Sequence, residues 1–201
     1  MKKQIFITAF ILITGFIFGQ NDTSIVFLKN LDSTIVFDVK YATKDNFTKQ
    51  VLYPTGNVYI RKVVGEKLVL ANKYLKEKYN LKIKVYDAYR PLSVQKIMWK
   101  IMPDNRYVAD PKKGSRHNRG AAVDLTLIDE NGQELDMGTP YDDFTQKAHS
   151  TYKDLPADVL KNRTILQETM KKFGFEEIES EWWHYDFKGW SKFAVLDVEI
   201  K

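Results

Sequence analysis

The chain has three histidines and no cysteine, so any catalytic metal must be held by imidazole and carboxylate. His117 lies in the stretch SRHNRGAAVD and is followed seven residues later by Asp124. The two bracket a loop-to-strand turn in which Gly120 lets the backbone fold tightly, so both side chains can converge on one point. His184, in EWWHYDF, can supply a third ligand from a neighbouring strand. Two histidines and one carboxylate with an open fourth position are what a catalytic zinc site requires; the metal there lowers the pKa of bound water and polarises a carbonyl. Such chemistry needs a base beside the water, and Glu181 stands three residues before His184. Residues i and i+3 of an ideal strand face opposite sides, so these two share one site only if Glu181 sits in a turn or bulge at the strand's start. His149, in QKAHS, has no carboxylate motif of its own and reads as structural support.

The elements that must position these residues follow from periodicity. Ala121 to Ile128 reads as a strand ended by the ENGQ turn, with Val123, Leu125 and Leu127 on one side and Asp124 on the other. EWWHYDF reads as a second strand, loosely followed by SKFAVLDVEI. LKIKVYDAYRP is an alternating strand stopped by Pro91, with a short helix from about Ser93. STIVFDVKYAT places Ile35, Phe37, Val39 and Tyr41 on one face and predicts a further strand, followed by a polar loop. Helices are expected from about Lys62 to Tyr79 and from Leu160 to Phe173, the latter with Leu166, Met170 and Phe173 as its buried edge and Gly174 as its stop. Strands and helices without regular βαβ alternation predict an α+β fold with a mainly antiparallel central sheet flanked by helices.

At 201 residues and 44% hydrophobic content the chain can build one domain with a full core. Residues 1–19 do not belong to it. Lys2 and Lys3 precede an apolar run from Ile5 to Phe18, which reads as a secretory signal, with an uncleaved N-terminal anchor as the alternative, and is short for a membrane span. A single domain over 20–201 is then expected, exported to the periplasm or the extracellular envelope, with no stable membrane association after cleavage. Losing Lys2 and Lys3 leaves 29 of 31 basic residues against 26 acidic ones, a mild excess with no basic block, which argues against nucleic acid as a partner. The absence of cysteine also excludes a lipoprotein anchor.

The motifs resemble a known family. SRHNRGAAVD looks like the Ser-x-His-x-x-Gly-x-x-x-Asp zinc signature of the M15 metallopeptidases, and EWWH resembles their Glu-x-x-His partner motif. DAYRP, from Asp87 to Pro91, is similar to the segment that brings an arginine to the same site, with Ala88 where the family usually has Gly. DVKYATKDNFT and MGTPYDDF resemble segments of the D-alanyl-D-alanine dipeptidase branch known from vancomycin resistance. The likeness runs from about Val39 to the C-terminus.

The resemblance implies one Zn2+ per chain in a central cleft, held by His117, Asp124 and His184. It implies Glu181 as general base and then general acid, and Arg90 facing the oxyanion of the tetrahedral intermediate. Ser115 would position the substrate carboxylate, while Tyr41 and Asp142 would lie near the free amine of a D,D-dipeptide. Taken as residues alone, Asp142 also reads as a loop cap, Tyr41 as the last core residue of its strand, and Arg90 as a structural ion-pair partner. Trp182 and Trp183 read as core and pocket wall. Two other functions fit the same motifs: a D,D-carboxypeptidase trimming stem peptides, for which an amine-holding carboxylate has no use, and a zinc- or wall-binding module without catalysis, for which Glu181 has none.

Overall fold

In the computed structural model, which describes residues 24–201, the central feature is a five-stranded sheet in the order β2–β4–β5–β7–β6. Its strands are β2 (Val36–Phe37), β4 (Lys82–Asp87), β5 (Ala122–Ile128), β6 (Phe175–Ile178) and β7 (Glu181–Phe187). Three of its four pairings are antiparallel, and only β2 runs parallel to β4. A separate two-stranded ribbon pairs β1 (Ile25–Phe27) with β3 (Tyr59–Arg61). Helices α1 (Lys62–Tyr79) and α3 (Ala157–Lys172) pack on each other and on β4 and β6, and α2 (Leu92–Ile101) follows the DAYRP segment. The expected α+β class with a mainly antiparallel sheet is what the chain adopts. The proposed signal segment 1–19 lies outside the described residues.

Alternation on β5 decides what the sheet presents. Val123, Leu125 and Leu127 are fully buried and join the apolar core with Leu68 and Leu75 of α1 and Leu166 and Met170 of α3. Burying each such side chain contributes about 2 kcal/mol. The intervening Asp124 turns to the opposite face, and it too is buried. Both faces of β5 are therefore covered. α1 ends at Asn80, whose left-handed backbone (φ 57°) does what glycine does at most helix C-termini.

Three expected elements differ. The strand foreseen in STIVFDVKYAT shrinks to Val36–Phe37, and Tyr41 lies in a 3-10 turn spanning Lys40–Ala42. Asn46 causes the departure: its side-chain amide donates to the carbonyls of Lys40, Thr43 and Gln50. That curls 40–50 away from the sheet and carries Tyr41 into the cleft. SKFAVLDVEI forms no strand. It runs as a strap whose backbone meets the loops around the site, through Leu196 N–H to the Asn118 carbonyl and Val198 N–H to the Tyr89 hydroxyl. α3 begins three residues earlier than Leu160, directly after Pro156.

Candidate metal centre and active-site cleft

Strand register brings the site together. Asp87 of β4 pairs with Asp124 of β5, and Asp124 pairs with His184 of β7. Three chemically active residues thus form one row across three strands. His117 arrives from outside the sheet, on a 3-10 turn (His117–Arg119) closed by Gly120 in the left-handed region, φ 64°. The DAYRP and SRHNRG segments are stitched to each other: Arg90 N–H donates to the His117 carbonyl, and the Asn118 amide donates to the Arg90 carbonyl. Asn118 also exchanges hydrogen bonds with Ser115, accepting from its N–H and donating to its Oγ.

His117 Nε2, His184 Nδ1 and Asp124 Oδ1 form a small triangle with edges of 3.2, 3.0 and 3.4 Å. Each ligand's remaining polar atom is engaged elsewhere. His117 Nδ1 donates to the Ala88 carbonyl at 2.7 Å, His184 Nε2 donates to Asp186 Oδ1 at 2.9 Å, and Asp124 Oδ2 accepts the Tyr141 hydroxyl at 2.9 Å. Those bonds fix both imidazole tautomers so that the two free ring lone pairs and one carboxylate oxygen converge. Without a cation between them, such lone pairs repel.

The electrostatics agree. Burial opposes a charged His184 ring, but the carboxylates of Asp124 and Asp186 at its two nitrogens outweigh it and raise the ring to about 10. Burial likewise opposes the Asp124 charge, yet the two imidazoles hold it well below the usual carboxylate range. A site this hungry for positive charge suits a dication. Four donors placed tetrahedrally at zinc–nitrogen and zinc–oxygen distances stand about 3.3 Å apart, which the triangle's edges match. The residues present fit zinc.

Glu181 opens β7, and its Oε2 lies 3.9 Å from His184 Nδ1. The sequence requirement for a bulge is met. Pairing between β6 and β7 jumps from Glu177↔Tyr185 to Ile178↔Glu181, which places Trp182, Trp183 and His184 opposite a single step of β6 and swings Glu181 onto the side of His184. Burial pushes the Glu181 carboxyl up to about 8.

Arg90 is buried, and two of its nitrogens grip Asp87 Oδ2 at 3.0 and 2.7 Å while Nη1 donates to Gln95. Asp87 is itself held by the Tyr53 hydroxyl and the Ala88 N–H. The ion-pair reading of Arg90 is therefore correct, and it coexists with a place in the cleft wall, where the guanidinium lies 5.2 Å from the centre of the Tyr41 ring.

Asp142 sits in the left-handed region (φ 60°). Its Oδ1 accepts the Tyr41 hydroxyl at 3.3 Å and its Oδ2 accepts the Phe47 N–H at 3.1 Å. Burial raises its carboxyl to about 7. A single cleft of about 120 Å³ is lined by all eight residues singled out in the sequence: Tyr41, Arg90, Ser115, His117, Asp124, Asp142, Glu181 and His184. Trp183 also lines it, and Trp182 is core, tied to Thr139 by its indole N–H. His149 stays apart, its carbonyl accepting from Arg163.

Four contributors were not foreseen. Asp186 orients His184, Asp87 aims Arg90, Tyr141 braces Asp124, and Arg116 pairs with Asp186 at 3.2 Å. Asp186 had a readable signal, since it lies two residues after His184 on the same strand face. Tyr141 had none.

Comparison with known proteins accords with this geometry. Residues 21–195 match the peptidase M15 family described as D-Ala-D-Ala dipeptidase. Three relatives named D-alanyl-D-alanine dipeptidase are similar along most of their lengths. That of Escherichia coli K12 is 34% identical, covering 88% of this chain and 91% of its own. That of Streptomyces coelicolor is 31% identical over 81% and 90%, and that of Enterococcus faecium 30% over 79% and 89%.

Proposed function

The chain belongs to the peptidase M15 family of D-Ala-D-Ala dipeptidases, and from that premise we propose that it hydrolyses free D-Ala-D-Ala to two D-alanines with one zinc ion, outside the cytoplasmic membrane. The observation that carries this reading is a cleft with a zinc-sized His117–Asp124–His184 triangle and, lining the same walls, a partly buried carboxylate at Asp142.

When bound, zinc supplies Lewis-acid polarisation of the scissile carbonyl and acidifies the attacking water. Glu181 takes that water's proton as the oxygen bonds to the carbonyl carbon, then passes it to the departing amine as the C–N bond breaks. Its raised affinity for a proton suits both roles. Arg90, held rigid by Asp87 and Gln95, presents a fixed positive charge where the oxyanion develops. The Ser115 hydroxyl accepts from Asn118 N–H and keeps its own proton for the substrate's carboxylate.

Asp142 receives the substrate ammonium. That group exists in a free dipeptide and is missing from a residue inside a stem peptide. Selection follows, because burying Asp142 against an acylated amine leaves its charge unpaired. The leader expected over 1–19 places this activity in the envelope, where it serves salvage of released dipeptide. Raised glycopeptide resistance on expression of the intact chain would refute that physiological role.

The test measures D-alanine release by the zinc-loaded protein from D-Ala-D-Ala, its N-acetyl form and a stem pentapeptide, with Glu181→Ala as control. Cleavage of the free dipeptide alone, lost in the variant, supports the proposal. Turnover of the blocked or long substrates makes the protein a carboxypeptidase, and zinc binding without turnover makes it a binding module.

A further inference from the structure

Tyr141 is a partly buried link between the two ends of the cleft. Its ring is packed 4.9 Å from Tyr86, 5.3 Å from Trp183 and 6.2 Å from Tyr41, centre to centre. Its hydroxyl donates to Asp124 Oδ2 at 2.9 Å and lies 3.4 Å from the Tyr41 hydroxyl oxygen. The Tyr41 oxygen in turn lies 3.3 Å from Asp142 Oδ1. A continuous chain therefore runs Asp124–Tyr141–Tyr41–Asp142, from the carboxylate of the metal triangle to the one placed for the amine.

Each phenol carries one proton. The Tyr141 proton goes to Asp124, which is both the nearer acceptor and the charged one. The Tyr41 proton has two acceptors at nearly equal distance, Asp142 Oδ1 and Tyr141 Oη. An ammonium at Asp142 donates to that carboxylate and to Tyr41 Oη, and thereby turns the Tyr41 proton toward Tyr141. Tyr141 then accepts while it donates, and a hydroxyl that accepts donates more strongly.

We infer that Tyr141 is a positioning residue with two effects. It occupies Asp124 Oδ2, so that the carboxylate offers the metal a single oxygen, Oδ1. It also transmits occupancy of the amine end to the metal end. The second effect rests on the dipeptidase reading and the first does not.

The variant Tyr141→Phe keeps the ring and its packing and removes only the oxygen. Zinc affinity, from chelator competition, is expected to fall roughly tenfold to hundredfold, the range for removing a hydrogen bond behind a metal ligand. The absorption spectrum of the cobalt(II)-substituted variant is expected to shift as Asp124 becomes free to bind through both oxygens. Neither readout requires turnover, so they stand even if D-Ala-D-Ala proves not to be the substrate. Far-ultraviolet circular dichroism checks that the variant is folded. For the second effect, adding D-Ala-D-Ala to the cobalt form of Glu181→Gln should perturb its spectrum, and the additional Tyr141→Phe change should reduce that perturbation to the part that comes from the carbonyl beside the metal, while N-acetyl-D-Ala-D-Ala leaves both spectra alone. Wild-type zinc affinity and an unchanged cobalt spectrum in folded Tyr141→Phe would overturn the positioning role. A ligand-induced change of undiminished size in Tyr141→Phe would overturn the coupling.

Discussion

Replacing Asp142 by Asn should make the protein more stable and a worse dipeptidase at once. Burial raises the Asp142 carboxyl from 3.8 to about 7, so the folded state holds this proton more tightly than the unfolded chain does. With a raised carboxyl the sign is unfavourable: stability falls as pH climbs from about 4 and levels off above about 7. At pH 8 the full gap of about 3 pH units corresponds to about 4 kcal/mol, and partial exposure with solvent screening trims it to about 1–2 kcal/mol. An amide removes that cost and can keep both ties, its oxygen accepting the Phe47 N–H and its NH2 donating to Tyr41. The melting temperature at pH 8 should therefore rise by about 3–6 °C. Catalysis moves the other way. Breaking a largely buried ion pair costs about 3 kcal/mol or more, so kcat/KM for D-Ala-D-Ala should fall about 100-fold, and the discrimination against N-acetyl-D-Ala-D-Ala, which no longer meets an unpaired charge, should narrow. For the unaltered protein the two raised carboxyls predict that kcat/KM on the free dipeptide falls as Glu181 and then Asp142 take up protons, and Asp142→Asn should make that acid limb shallower below pH 7 by removing one of the two protons. Calorimetry and D-alanine release at several pH values measure all three. A lower melting temperature with kcat/KM on the free dipeptide unchanged would mean that Asp142 only ties the loop at Phe47 to its own.

Three further outcomes follow from the geometry. Glu181→Gln should lower kcat by about 10²–10⁴ while zinc content, measured by elemental analysis, stays at the unaltered level; loss of zinc as well would mean that Glu181 is a ligand. Asp186→Asn weakens the bond that fixes His184 Nε2 and should reduce zinc affinity about 10–100-fold in chelator competition. Gly120→Ala forces a side chain into a left-handed residue, with its Cβ 2.6 Å from Ile25 Cδ1 and 3.3 Å from the Arg61 backbone nitrogen. It should cost about 2–3 kcal/mol in denaturant unfolding and weaken zinc binding through displaced His117.

What could be read from the sequence was the chemistry and the long elements, because both leave local patterns. The limits of α1, the alternation of β5 and the convergence of His117 on Asp124 across Gly120 are short-range facts. The bulge that carries Glu181 to His184 could be stated as a requirement, since a strand's two-residue period forbids the alternative. The curl at 40–50 could not, because alternation over Ile35, Phe37, Val39 and Tyr41 is also what a strand shows, and the competing force is three hydrogen bonds from the single amide of Asn46. The supports behind the ligands were mostly hidden for a different reason. Tyr141 meets Asp124 across 17 residues and Asp186 meets Arg116 across 70, and no periodicity encodes such meetings.

The cleft's carboxylates divide by what answers their charge, and the division matches the roles proposed for them. Asp87 is gripped by Arg90, and Asp186 lies between Arg116 and the His184 ring. Asp124 faces two imidazoles. These three are answered within the fold and serve as fixed parts. Asp142 is held by uncharged donors, a phenol and a backbone N–H, and Glu181 stands 3.9 Å from an imidazole already committed to Asp124 and Asp186. Burial pushes both upward, to about 7 and about 8. Carboxylates held in so unfavourable a state cluster at functional sites, where a missing positive charge arrives with the reaction. In the proposed reaction that charge is the substrate's ammonium at Asp142 and the proton of the attacking water at Glu181.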